Sequence, residues 1–515
     1  MKTLPTILLA LSISTILGTG NIMAQAPEIE WQKSLGGSAG ESATSIQQTA
    51  DGGYIMAGYS ESNDGDVTGN HGDYDYWVVK VNATGVIEWQ KSLGGSGTDM
   101  ANAVQQTLDG GYIVVGQSNS NNGDVTGNHG SYDFWVVKLN AAGAITWQKS
   151  FGGSIDEEAT AVQQTTDGGY IVAGKSDSQD GDVIGNQGFY DFWILKLTQA
   201  GTIAWQKSLG GSQPDISTDI QQTTDGGYIV CGSSASTDGD VTGNHGSNDF
   251  WVAKLNNTGN IEWQKSLGGT EYDTASSVQQ TVDGGYIVAG QVYSNDGDVT
   301  GHQGGTDYWV VRLDSTGNME WQKAAGGSSS DTAMDVLQSM DGGFLVSGTS
   351  SSTDGDITEN QGGIDYWTVK LLETGAIDWE KSLGGSESDW ASSNIQVTGG
   401  GYVIAGRSSS IDGDVTGNHG GEDFWVVKLF PDVLGVEAFD NQISVYPNPV
   451  SSVLNIATNE PITSVSVFNQ LGQQVMVSSH FDKTLQLDMS GLAANLYFVV
   501  VNTEKSRETF KIVVQ

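Results

Sequence analysis

The heptapeptide WQKSLGG, first met from Trp31 to Gly37, decides the fold. Its tryptophan returns at Trp89, Trp147, Trp205, Trp263, Trp321 and Trp379, each 58 residues after the last, without insertion or deletion. A fixed period in this range marks a repeat architecture, in which one unit cannot bury its apolar face until the next is stacked on it. Outward from Trp31, the first unit passes through the polar link GGSAGES into SIQQT, turns at Asp51-Gly52-Gly53 and enters the apolar run YIMAG. A DG pair between two β-prone runs predicts a hairpin with positive φ at both central residues. A long polar loop, SESNDGDVTGNHGDYD, leads to the run YWVVKV, opened by Tyr76 and Trp77. A short turn over Asn82 to Gly85 then delivers the next VIEWQKSL.

Four short antiparallel strands per unit, with no helical period, predict an all-β fold with one propeller blade per repeat. The second and third strands are nearly continuous apolar runs, as expected where neighbours cover both sides. Two tryptophans per copy, Trp77 and Trp89 in the first, are read as core. The first three strands occur seven times, ending with DFWVVKL at Asp423 to Leu429, and no eighth WQKSLGG follows. The unpaired fourth strand lies at the other end, around Ile29 to Leu35. It should complete the last blade and close a seven-bladed β-propeller, leaving no free sheet edge. A β-solenoid is the second choice, because four strands and 58 residues are too many for one ordinary coil.

Glycine supplies 72 of the 515 residues, about twice its usual share of roughly 7%, as a turn-rich β protein requires. Lys and Arg number 21 against 61 Asp and Glu, a formal charge of −40. Nucleic acid and anionic membranes would be repelled. Residues 1–26 read as a secretory signal peptide: Lys2, an apolar run around Ile7 to Leu17, and small residues ending in Ala24-Gln25-Ala26. That run is too short and too interrupted for a membrane helix, so no transmembrane segment is expected in the mature chain. No cysteine follows the signal, which argues against a lipid-anchored amino terminus. The one cysteine, Cys231, sits where other copies carry Ala57 or Ala173 and reads as a packing substitution.

From about Asn441 the pattern changes to ISVYPNPV, VLNI, SVSVFNQLGQQV, LQLDMSGLAANLYFVVV and ETFKIVVQ. Alternation broken by turn residues at roughly ten-residue spacing predicts a small Ig-like β-sandwich. This segment resembles the type A carboxyl-terminal sorting domain of the type IX secretion system of the Bacteroidetes. The resemblance rests on Pro447-Asn448-Pro449, Leu471-Gly472, Gly491-Leu492 with Tyr497, and the terminal FKIVV from Phe510. It implies handling by that secretion machinery, after signal-peptide export to the periplasm, and delivery to the medium or the outer-membrane surface of a Gram-negative bacterium. The repeats, built from DGGYIVAG and DYWVVKL units, also resemble secreted Bacteroidetes propeller proteins and, more distantly, kelch blades. That second resemblance implies a fold and an address but no activity. The expected organisation is therefore signal peptide 1–26, propeller 27–430, linker 431–441 and sorting domain 442–515.

In a propeller the two long links of each repeat emerge on one face and the two tight turns on the other, so function is expected on the long-loop face. Ten residues after each repeat tryptophan stands an acid there: Glu41, Asp99, Glu157, Asp215, Asp273, Asp331 and Asp389. The loop DGDVTGNHGDYD places Asp64 first, Asp66 third, Thr68 fifth, Gly69 sixth, Asn70 seventh and Asp75 twelfth. That is the ligand rhythm of a calcium loop with its turn glycine. The corresponding acids are Asp180, Asp182 and Asp191; Asp238, Asp240 and Asp249; Asp296, Asp298 and Asp307; Asp354, Asp356 and Asp365; and Asp412, Asp414 and Asp423. Departures from the pattern are a terminal Asp where Glu is usual, the absence of flanking helices, and Asn122, Ile184 and Glu359 at three ligand or glycine positions. The same aspartates would equally brace their loops through side chain to backbone turns.

His71, His129, His245 and His419 share one loop position with Gln187, Gln303 and Gln361, an interchange that points to a hydrogen bond rather than a base or ligand. No GxSxG, HExxH, CxxC or phosphate-cradling loop occurs. The first strands, read as SIQQT or close to it, carry acid only at Asp219 and Asp335, so no catalytic residue is assigned. The sequence thus predicts an exported, non-catalytic binding or adhesion protein that offers its acidic loops to a glycan or protein ligand. The rival is an extracellular glycan-acting hydrolase or lyase that uses carboxylates of the same face. An active site needs one blade to differ, and the loops repeat almost unchanged.

Overall fold

The computed structural model describes residues 24–432, 443–447, 449–458, 461–469, 473–478, 482–503 and 507–514. The signal-peptide reading of 1–26 and the linker reading of 431–441 fall mostly outside them. The chain divides into two compact units, Met1–Asp432 and Val433–Gln515.

In the first unit each repeat folds into a four-stranded antiparallel sheet, in the first copy Glu41–Gln48, Tyr54–Ser60, Asp75–Val81 and Ile87–Leu93. The sheet after six such copies takes its first three strands from Asp389–Gln396, Tyr402–Ser408 and Asp423–Leu429. Its fourth strand is Ile29–Leu35, with Leu35 opposite Phe424 and Trp31 opposite Lys428. Side chains repeat the match. Trp425 Nε1 donates to Gln32 Oε1 at 2.9 Å, as Trp77 Nε1 donates to Gln90 Oε1 at 3.0 Å within the first copy.

Neighbouring sheets pack through their apolar faces. Tyr76 of the first stacks on Trp135 of the second at 4.6 Å, Phe134 on Trp193 at 4.7 Å, and so on to Phe424 on Trp77 at 4.5 Å, which sets the last sheet against the first. Each such aromatic pair adds about 0.5–1.5 kcal/mol beyond the area it buries. Glutamines tie the first strands together beside this core. Ala50 N donates to Gln106 Oε1 at 2.8 Å, and the series ends with Thr398 N donating to Gln48 Oε1 at 2.9 Å. The third-strand tryptophans are fully buried, as expected of core. The fourth-strand ones are half-buried against the ring that opens the next second strand, as Trp89 against Tyr112 at 5.6 Å and Trp321 against Phe344 at 5.8 Å, except Trp379, which is buried.

The first hairpin turn differs from its prediction. Within this turn only Gly52 has positive φ, at 86°, and among the described residues no non-glycine does. Thr49 N bonds Gly53 O, and Gly52 N bonds Thr49 O, both at 2.9 Å, which makes a three-residue turn with glycine alone in the left-handed region. Asp51 has no need of positive φ because its carboxylate closes the turn locally, accepting from Gly53 N at 2.9 Å and Thr49 Oγ1 at 2.5 Å.

The second unit holds two antiparallel sheets. One contains Ile443–Tyr446, Val453–Thr458 and Thr484–Asp488; the other contains Gln474–Ser478, Ile462–Asn469, Asn495–Thr503 and Arg507–Val514. Leu454, Ile456 and Leu487 of the first share one core with Val465, Val499 and Ile512 of the second. Alternate residues are buried along Val453–Thr458 and Thr484–Asp488, as the sequence alternation required.

Candidate functional site

Antiparallel order puts both long links of every repeat on one side of its sheet, and the structure ties them to each other. Asp64 Oδ1 accepts from Ser38 N, and Asp64 Oδ2 from Ser38 Oγ, both at 2.8 Å. The backbone bond recurs in every copy, from Ser96 N to Asn122 Oδ1 at 2.8 Å through Ser212 N to Asp238 Oδ1 at 2.7 Å to Ser386 N to Asp412 Oδ1 at 2.8 Å. Asp66 Oδ2 lies 3.4 Å from Gly36 N. Thr68 takes the Gln90 side-chain amide, and Asn70 Nδ2 donates to Ser60 O at 2.9 Å. Asp75 is fully buried, and its Oδ2 accepts from His71 N at 2.9 Å. The five positions of the calcium rhythm are thus drawn to five different protein partners. Asp238, Asp240 and Asp249, Asp296, Asp298 and Asp307, Asp354, Asp356 and Asp365, and Asp412, Asp414 and Asp423 make the bonds of Asp64, Asp66 and Asp75. Asp180 and Asp191 do so in the third copy, where Asp182 is held instead by its backbone N, which donates to Gly152 O at 2.8 Å. Among the described residues no group of three or more His, Cys, Asp or Glu side chains stands where it could hold a metal ion. As they stand, the loops fit the bracing role.

The acids that follow each repeat tryptophan are not offered to solvent, contrary to their reading as surface charge. Glu41, Asp99, Glu157, Asp215, Asp273, Asp331 and Asp389 are all buried. Asp99 Oδ2 accepts from Gly95 N at 2.7 Å and from Ser120 Oγ at 2.8 Å. Beside it stands Asp75 of the preceding repeat, and Gly94 is wedged against both. A Cβ placed on Gly94 would lie 2.6 Å from Asp99 Oδ2 and 2.7 Å from Asp75 Oδ1. The Oδ1 atoms of Asp75, Asp133, Asp191, Asp249, Asp307, Asp365 and Asp423 have no hydrogen-bond partner among protein atoms. They face the glycine Cα, whose hydrogens are weak donors. Burial raises the pKa of every member of this series.

The shared His and Gln position explains how the copies differ. His71 Nδ1 lies 2.6 Å from Asp75 Oδ2, and His129, His245 and His419 hold their own aspartates in the same way at 2.7 Å. Gln187, Gln303 and Gln361 instead reach into the next repeat, to Asp240, Asp356 and Asp414 at 2.9, 2.9 and 2.6 Å. Where glutamine stands, burial pushes Asp191 up to about 7 and Asp307 and Asp365 up to about 6. The opposite side of each sheet carries the buried cations. Lys80 Nζ lies 3.0 Å from Asp51 of the glycine turn and 2.8 Å from Glu88. The seventh copy lacks that aspartate, and Lys428 pairs with Glu30 of the amino-terminal strand at 3.0 Å.

Asp219 and Asp335 line a cavity of about 470 Å³ enclosed by the first strands, together with Asn394. Sequence reasoning passed over Asn394, whose only signal is polarity where the other six copies carry Ile or Val. Of the sorting motif, Asn448, Leu471 and Gly472 lie outside the described residues. Pro447 and Pro449 are exposed and Gly491 sits in an exposed turn. Tyr497 is buried, donating its hydroxyl to Ala493 O at 3.1 Å.

Residues 444–515 match the family model of the secretion system C-terminal sorting domain. A curated relative, the regulatory protein FlaEY of Caulobacter vibrioides, is 23% identical over 407 residues, which cover 68% of this chain. The chain spans only 40% of that relative's length. Among solved structures, PorZ, a surface component of the type IX secretion system of Porphyromonas gingivalis, is similar at a TM-score of 0.38 and 12% identity, over 90% of this chain and 58% of that one. Puromycin hydrolase is similar at a TM-score of 0.45 and 12% identity, over 85% of this chain and 62% of its own.

Proposed function

We propose, on the premise that residues 444–515 are a secretion sorting domain, that this chain leaves the cell through the type IX system and works outside as a non-catalytic binding or adhesion protein. Its repeat unit is then a closed seven-bladed propeller, and its second unit a small β-sandwich that addresses it to the medium or to the outer-membrane surface. Support for closure comes from the amino-terminal strand in the last sheet and from the Phe424 to Trp77 and Thr398 to Gln48 contacts across the seam.

The observation that carries the binding reading is the sevenfold recurrence of the Asp64 to Ser38 type bond, which fixes the same loop pair at the same place in every repeat. Near-identical loops held in the same way are suited to a ligand that itself repeats, such as a glycan or a polymeric protein, because several weak contacts then add as one. On this reading the loop aspartates brace, and bound calcium is not required. Incubating the purified chain on a glycan array and against extracellular matrix proteins tests the proposal. Saturable binding without turnover is expected. Cleavage of any arrayed glycan, abolished by replacing the acids of one repeat, would make it a hydrolase or lyase instead.

A further inference from the structure

Inside the cavity that the first strands enclose, the sevenfold pattern breaks. A second cavity of about 230 Å³ adjoins the first, and Val162, Asp219, Ser277 and Asp335 line both. At the position of these last three residues the other copies carry only serine or alanine, such as Ser45 and Ala103. Acid therefore enters twice, on either side of Ser277. Its Oγ lies 3.3 Å from Asp219 Oδ2 and 3.0 Å from Asp335 Oδ1, so one hydroxyl proton serves two carboxylates. Asp219 Oδ2 also accepts from Val278 N at 3.0 Å, and Asp335 Oδ2 from Asn394 N at 2.8 Å and Ser393 Oγ at 3.2 Å. No lysine or arginine lines either cavity. Burial raises both acids, with Asp335 reaching about 7.

One residue further along, six copies place Ile or Val and the seventh places Asn394, which is 4% exposed. Neither its Nδ2 nor its Oδ1 has a hydrogen-bond partner among protein atoms, although it lines the larger cavity. A buried amide without partners is destabilising, and an apolar residue was available at no such cost. Three departures from the repeat thus converge on one chamber: two carboxylates short of positive charge and an amide short of partners.

We propose that this chamber binds a small organic cation through a primary ammonium group seated between Asp219 and Asp335, with the Asn394 carboxamide as an additional polar contact. An ammonium brings three donors and no acceptor, which is what acceptor carboxylates and an amide oxygen lack. The volume falls within the roughly 300–1,000 Å³ of small-molecule pockets and is far larger than a bare ion needs. The exposed Met340, in the turn between Asp331–Gln338 and Phe344–Ser350, lies at its rim, so the ligand enters from the tight-turn side. The site is separate from the long-loop face, and neither reading depends on the other.

Titration calorimetry of the full chain with 1,4-diaminobutane tests it, with 1,4-butanediol as the uncharged counterpart and calcium chloride as a metal control. The diamine should bind saturably and the diol should not. Asp219→Asn with Asp335→Asn, which keeps shape and acceptor oxygens, should weaken the diamine roughly tenfold or more. Asn394→Val restores the residue type of the other copies, so it should raise the melting temperature while lowering affinity. Asp64→Asn, outside the chamber, should leave affinity unchanged. Absence of saturable diamine binding, equal affinity in the two chamber variants and the parent, or tighter binding of calcium than of diamine would each overturn the proposal.

Discussion

Gly94 is required by space and not by backbone conformation, since two carboxylates press on its Cα. Gly94→Ala should therefore cost about 1–3 kcal/mol as an overpacking change, read as a drop in the denaturant midpoint with unchanged slope. Next to such a glycine, Asp191 is held protonated far above the value of a free carboxyl, up to about 7. The folded state binds that proton more tightly than the unfolded chain, so this group favours folding most below pH about 4 and loses that contribution as pH rises to about 7. Asp51 works in the opposite sense. The Thr49 hydroxyl, and then Gly53 N and Lys80 against a modest burial effect, lower it to about 2, so its contribution is lost as pH falls below about 4. Melting curves should accordingly place the optimum on the acid side of neutrality. Asp191→Asn, which still accepts from Gln187 N, should raise the melting temperature at pH 8 and change it little near pH 4. None of the carboxylate pairing was legible in the sequence, because the partners come from different repeats and meet only once sheets stack. The interchange of His with Gln was legible, since both residues can reach an aspartate and both do.

At the scale of the strand, Ile29–Leu35 belongs to the last sheet and not to its sequence neighbours. Deleting residues 27–37 should remove roughly 1.5–3 kcal/mol for buried Leu35, add the loss of the half-buried Trp31, and bare one edge of Asp423–Leu429. Hydrogen exchange should then accelerate in Asp423–Leu429, nearly 400 residues away in the chain; protection there equal to that of the parent would refute the strand's role. This pairing could be reasoned from counting alone, as strands one to three occur once more than strand four within the repeats. The turn at Asp51 could not, because a DG pair leaves open whether the aspartate takes the left-handed region or closes a longer turn with its carboxylate.

For the whole molecule, the two compact units have separate cores. Removing Ile443 to Gln515 should leave a repeat unit that melts cooperatively yet accumulates in the periplasm; recovery of the truncated chain from the medium would sever the link between the terminal domain and export. Calorimetry of the exported chain in calcium and then in chelator should give superimposable transitions if the loop aspartates only brace. A rise of the transition in calcium would return them to the role of ligands. Fold class and address were open to reading because periodicity and terminal motifs are properties of the linear chain. The chamber was legible only in part: Asp219 and Asp335 stand out as acids in the sequence, but that they share a cavity with Asn394 emerges only when the first strands face one another.

The place where the repeat unit hands over to the chain that follows also has a mechanical meaning. Asp423–Leu429 is zipped on both long edges, to Tyr402–Ser408 and to Ile29–Leu35. Phe430 N donates to Glu28 O at 3.0 Å, and Asp432 is gripped by Trp379 Nε1 at 2.9 Å and by the Tyr402 hydroxyl. If the second unit is held while flow drags on the first, tension enters through a strand that has a latch on either side. It must break two ladders together before any sheet can open. A tether of this kind would let the protein be towed by its address tag without coming unwound.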